Sequence, residues 1–114
     1  MKTYKRVERV APLVQVILAD LIRHRVQDPR VRNGAITNVQ MKDDLRLATV
    51  FFQVTPGTDP KVVKDGFEKA RPFLRRELGK QLSMKFVPDL RFIYDDSHEH
   101  IERVEEILQR LKSE

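Results

Sequence analysis

Between Asp59 and Leu82 the chain sets Lys64, Lys69, Arg71, Arg75, Arg76 and Lys80 on the far side of an apolar pattern, with Pro72 in their midst. Cations held at regular spacing do one kind of chemistry well. They neutralise phosphate oxygens, and a planar guanidinium meets those oxygens two at a time. Pro72 adds a second route to the same end. It has no N–H for the carbonyl of Glu68, and its ring crowds that turn, so a kink is predicted at Ala70, Arg71 and Pro72. A helix restarting there, with Arg71 near its cap, would free the N–H groups of Phe73 to Arg75 at the positive end of a helix dipole, where a phosphate could sit. The alternative is a proline that only bends a helix around its sheet, with arginines solvating the outside.

The same chemistry recurs at both ends of the first helical pattern. Lys2, Lys5, Arg6 and Arg9 stand at one end, opposed by Glu8 alone, and Arg23, Arg25, Arg30 and Arg32 at the other. Residues 1–32 hold eight Lys/Arg against three acids (+5), and residues 61–91 hold nine against four (+5). Residues 92–114 hold three against seven (−4). A basic body with an acidic last helix suits a polyanion met by one surface only.

Other chemistry finds little support. The chain has no cysteine, which removes disulfides, thiolate zinc sites and thiol nucleophiles together. His98 and His100 sit with Asp95, Asp96 and Glu99, but acids at a helix start follow from the dipole, and residues two apart do not share a helix face. No metal site is expected. Asp43 and Asp44 fit a hairpin turn, and no glycine-rich phosphate loop or nucleophile elbow is present, so no catalytic residue is assigned. Aromatics are few, and Phe52, Phe67, Phe73, Phe86 and Phe92 fall on or near core faces. Only Tyr4, Phe51 and Tyr94 could offer a base-stacking platform.

These residues must be held by a single domain, since 114 residues suffice for one core and hardly for two. No apolar run approaches the roughly 20 residues that span a bilayer, and the charged N-terminus has no apolar core behind it, so a cytoplasmic protein is expected. Val10, Leu13 (or Val14), Ile17 and Leu21 predict a helix over residues 4–27, its regular part starting at Ala11–Pro12. Arg30 to Gly34 read as a loop. Thr37, Val39 and Met41 alternate with Ile36, Asn38 and Gln40, and Ala48, Val50, Phe52 and Val54 with Leu47, Thr49, Phe51 and Gln53, which predicts an antiparallel hairpin. Asp59 or Thr58 caps the next helix, with Val63, Phe67, Ala70, Leu74 and Leu78 inward. A third strand is predicted over Phe86–Tyr94, joined through helices and therefore parallel to the second. A last helix follows, with Ile101, Val104, Leu108 and Leu111 as its apolar stripe. The order is αββααβα: an α+β two-layer domain, its three-stranded mixed sheet covered by helices on one face and the other open.

The βααβ unit behind a helix and a hairpin resembles a type II KH domain, an RNA-binding module. In detail the chain is similar to the ribosome-binding factor A family. The residues that carry the likeness are Arg6-Val7, Asp28-Pro29-Arg30-Val31, Val39, Asp44-Leu45, Ala48 and Val50, then Ala70, Phe73-Leu74-Arg75, Pro88, Leu90, Phe92, Asp95 and Ser97. They span about residues 5–108. The family replaces the GXXG loop of KH domains by a helix kink centred on an alanine, here Ala70-Arg71-Pro72, with proline where glycine is usual. The resemblance implies one KH-like RNA-binding domain over residues 1–114. It implies binding to the small (30S) ribosomal subunit and to 16S rRNA and its precursor during late maturation, a link to cold adaptation, and neither catalysis nor cofactor nor small-molecule substrate. A monomer is expected. The RNA contacts expected from the charges are Lys2, Lys5, Arg6, Arg9, Arg30, Arg32, Lys64, Lys69, Arg71, Arg75, Arg76 and Lys80. A protein-interaction module docking through the acidic last helix or the open sheet face is the other reading.

Overall fold

The computed structural model describes residues 2–113, apart from the side chains of residues 2–5 and of His98. Its elements run α1 (Lys2–His24), a short 3-10 turn (Pro29–Asn33), β1 (Gly34–Met41), β2 (Leu47–Val54), α2 (Pro60–Leu82), β3 (Asp89–Tyr94) and α3 (Ser97–Ser113). The sheet order is β1-β2-β3. As expected, the hairpin is antiparallel, and β2 and β3, joined through helix, run parallel. Val39, Ala48, Val50, Phe52, Leu90 and Phe92 form its buried face, and α1 and α2 lie over them.

Both helix contacts follow from period. α1 buries Val14, Leu18, Leu21 and Ile22, which settles the choice at its start: Val14 faces in and Leu13 is 53% exposed. α2 buries Val63, Phe67, Leu74 and Leu78, and Ala70 packs beside them. Phe67 lies at the centre, 5.1 Å edge-on from Phe52 and 5.2 Å in stacking contact with Phe92. Asp59 caps α2 as expected, its carboxylate accepting from the Lys61 N–H at 2.9 Å, with Pro60 in the first turn.

Neither proline divides its helix. α1 is helical from Lys2 with Pro12 inside it, and the two helices expected around Ala70–Pro72 are one helix of 23 residues. Pro12 and Pro72 are both exposed, so the carbonyls that lose a donor, those of Glu8 and Glu68, lie on the solvent side. The apolar stripe of each helix continues across the proline and holds the turns on either side against the sheet. Because α2 does not restart at Pro72, the amides of Phe73 to Arg75 are not the start of a new helix. The phosphate site expected from them falls with the break.

Three smaller differences have local causes. A bulge between Ile36 and Asn38 breaks the alternation of β1, so Ile36 packs on the core and Thr37 is exposed. The segment expected as loop at Arg30–Asn33 is a 3-10 turn capped by Asp28, with Val31 buried. β3 begins at Asp89 rather than Phe86. Pro88 cannot donate to a ladder, the Arg75 guanidinium takes the carbonyls of Val87 and Pro88, and Phe86 is left 63% exposed. Gly66 lets the 3-10 turn approach α2 closely. A Cβ there would stand 3.0 Å from Arg30 Cβ and 3.1 Å from Val31 Cγ1.

Candidate nucleic-acid interface

Helix arithmetic, at about 100° per residue, divides the cations of α2 between two edges. Lys64, Arg71 and Arg75 fall on one, and Lys69, Arg76 and Lys80 on the other. The contacts agree with that division. Arg71 lies 3.0 Å from the Glu68 carboxylate and donates to the Leu90 carbonyl at 3.3 Å. Arg75 donates to the carbonyls of Pro88 and Val87, both at 3.2 Å, and stands 3.8 Å from Asp89. Both guanidiniums therefore pin the start of β3 to α2. Arg76 turns the other way, its guanidinium 5.9 Å from the Phe73 ring centre, and Arg25, which follows α1, covers the same ring at 5.5 Å.

Between α2, the end of α1 and the 3-10 turn lies an open groove of about 740 Å³. Val26, Pro29, Ala70 and Phe73 give it an apolar floor, and Arg25, Arg30 and Lys69 give it a cationic rim. Glu77, buried on α2, ties the wall together. It accepts from Arg25 Nη2 at 3.0 Å and lies 3.3 Å from Lys80 Nζ. The Lys80 and Arg25 contacts hold its carboxyl below the usual carboxylate range against the opposing effect of burial.

Asp28 and Arg30 form the rim's tightest pair. Arg30 Nη2 and Nε donate to the Asp28 carboxylate at 2.7 and 3.2 Å, and the Arg30 N–H donates at 3.0 Å. Those bonds bring Asp28 from 3.8 to about 2. A depressed carboxyl contributes stability that is complete above 3.8 and is lost as pH falls through about 2. The wild-type protein is expected to lose denaturant resistance between pH 4 and pH 2 faster than Asp28→Asn does. Urea midpoints across that window check it, and parallel profiles would show that the pair contributes nothing.

The expected contacts thus separate by what already holds them. Arg30, Arg71, Arg75 and Lys80 are committed to carboxylates or carbonyls of the protein. Arg32 donates to the Arg23 carbonyl at 2.8 Å but meets no carboxylate among the described residues. Arg6, Arg9, Lys64, Lys69 and Arg76 are exposed and have no ion-pair partner among the described residues. The side chains of Lys2, Lys5, Tyr4 and His98 lie outside the described residues. The structure brings Lys69, Arg25 and Arg30 to one groove, with Arg76 beside it over the Phe73 ring. It does not bring Arg6 and Arg9 there, since sixteen residues separate Arg9 from Arg25, roughly 24 Å at helical rise. Arg25 as a groove wall and Glu77 as its anchor escape a reading of the sequence. Glu77 borders the apolar stripe, one residue before Leu78, but no periodicity relates positions 25 and 77.

A family model described as ribosome-binding factor A matches residues 6–108. Ribosome-binding factor A of Syntrophus aciditrophicus is 40% identical over 117 residues, covering 100% of this chain and 94% of the relative. That of Geotalea uraniireducens is 41% identical over 112 residues, covering 96% and 91%. Among solved structures, the crystal structure of ribosome-binding factor A from Thermus thermophilus superposes with a TM-score of 0.70 at 18% identity, over 77% of this chain and 94% of that one. A homology model of the Thermus thermophilus factor, fitted into a cryo-EM map of its complex with the 30S subunit, gives 0.63 at 19% identity, over 75% and 91%. These two likenesses carry the fold.

Proposed function

The chain belongs to the ribosome-binding factor A family, and from that premise we propose that it is a non-enzymatic assembly factor for the small ribosomal subunit. It binds precursor 16S rRNA late in maturation, as a cytoplasmic monomer, through one KH-like domain formed by the whole chain. The observation that carries the RNA contact is the set of unclaimed cations. Arg6 and Arg9 on α1, and Lys69 and Arg76 beside the groove of α2, are exposed and meet no carboxylate among the described residues. A solvated helix surface gains from pairing its charges at i,i+3 or i,i+4. Cations left free on a basic body are available to a polyanion.

The division of labour follows from the contacts. Arg71 and Arg75 fix β3 against α2, and Arg25, Glu77 and Arg30 shape the groove. Lys69 and Arg76 on its margin, with Arg6 and Arg9 at the other end of α1, neutralise phosphates. Contacts of this kind position a protein on RNA and give affinity without reading sequence. If four to six phosphates are neutralised, log Kobs should fall with log salt at a slope of about −3 to −5. Filter binding of small-subunit precursor RNA at several salt concentrations measures that slope. A flat salt dependence would rule out phosphate-driven binding.

A further inference from the structure

α3 leaves the two-layer body with its apolar side uncovered. Ile101, Val104, Leu108 and Leu111 are 55, 43, 50 and 63% exposed, although they have the spacing of a helix seam. Steps of three, four and three residues align side chains into the narrow stripe that one helix presents to a partner. Among the described residues nothing covers it: every described side chain from Asp96 to Ser113 is exposed. Four large apolar groups in one line, left in water beside a well-packed core, mark a surface that has a partner.

Charge selects the kind of partner. From Asp95 to Glu106 the chain holds six acids against Arg103 alone. That segment repels RNA phosphate and anionic lipid alike. A second copy fits poorly. Pairing two α3 helices head to tail, with Ile101 over Leu111 and Val104 over Leu108, brings Glu105 of each copy to the same edge. A basic protein matches both the stripe and the acids. Proteins that coat ribosomal RNA carry such charge, because they too neutralise phosphate.

We propose that α3 is a docking helix for a basic protein of the small subunit. Its stripe lies in an apolar groove of that protein, and Glu105, which flanks the stripe, meets a lysine or arginine at the rim. The domain then engages the particle through two chemistries, phosphate at α1 and α2 and protein at α3. This rests on the small-subunit reading above, and one experiment separates the two.

Binding is measured to small subunits and, in parallel, to protein-free 16S rRNA, for the wild-type protein, Val104→Asp with Leu108→Asp, and Glu105→Lys. All three positions are exposed, so the fold should persist, which circular dichroism checks. The stripe variant is expected to lose at least about tenfold in affinity for subunits, as loss of central apolar anchors does, with no change on bare RNA. The charge variant should weaken on subunits too. Equal affinity of the stripe variant for subunits overturns the docking helix, and so does an equal loss on both targets. Tighter subunit binding by the charge variant would assign α3 to RNA. A wild-type dimer that the stripe variant dissociates would assign it to a second copy. Wild-type protein that binds neither target overturns the small-subunit reading itself.

Discussion

Changing Lys69 and Arg76 together to glutamate is expected to weaken binding to small-subunit RNA by roughly 10- to 100-fold at moderate salt, and to reduce the salt slope by about 2. Stability should change by no more than about 1 kcal/mol per site, because both side chains are exposed and neither holds an ion pair among the described residues, the Arg76 contact with the Phe73 ring being the larger loss. Arg71→Ala with Arg75→Ala should do the opposite. Those guanidiniums donate to the carbonyls of Leu90, Pro88 and Val87, so their loss leaves part-buried acceptors at the head of β3 without donors. A destabilisation of about 1–3 kcal/mol is expected, with a smaller effect on affinity. Filter binding at several salt concentrations and urea unfolding, run on both double variants, test the contrast. If the Arg71 and Arg75 pair proved the stronger determinant of affinity in protein that remains folded, the assignment of roles on α2 would be reversed.

The largest stability effect is expected at Phe67. Phe67→Ala should cost about 3–5 kcal/mol, the usual range for emptying a fully buried aromatic site. The ring has no exposure and sits between Phe52 and Phe92, so its removal strands both of those rings. The cavity has little means to collapse, since Phe92 is fixed on β3 and Phe52 on the central strand β2. Against a total stability of about 5–15 kcal/mol for a domain of this size, such a loss takes a large share. Phe67→Leu, which keeps most of the volume, should cost well under half as much. Urea midpoints for the two variants decide the matter. Similar values would mean that the ring contacts add nothing beyond general burial.

Where burial is periodic, the sequence reveals it. The α2 stripe from Val63 to Leu78 and the inward set Val50, Phe52, Leu90 and Phe92 stand out because a helix repeats every 3.6 residues and a strand every two. Strict alternation assigns Thr37 and Ile36 to the wrong faces, because a bulge adds one residue to one strand and leaves no mark in composition. Pro12 and Pro72 look like helix boundaries because proline costs a helix a hydrogen bond, but the cost is small where the orphaned carbonyl faces solvent. For α3, helix formation is legible and its exposure is not, since an apolar stripe looks the same whether its partner is the chain's own core or another molecule.

The candidate interface shows the same limit. Basic composition identifies which residues could meet phosphate, and the likeness to ribosome-binding factor A identifies the family. Which of those cations are free depends on acceptors elsewhere in the chain. Arg75 is claimed by backbone carbonyls twelve and thirteen residues away, and Arg25 by a glutamate fifty-two residues away. Backbone acceptors carry no side-chain signature, so Arg71, Arg75 and Arg76 look equivalent in sequence and differ in the fold.

The most direct test of RNA contact through the groove margin is site-specific crosslinking to precursor small subunits, with photoreactive side chains at positions 69 and 76 and, as a contrast, at 49 and 53 on the open face of the sheet. The helix positions should crosslink to a few discrete sites on 16S RNA, and the sheet positions should not. RNA crosslinks concentrated at positions 49 and 53, with none at 69 and 76, would contradict it.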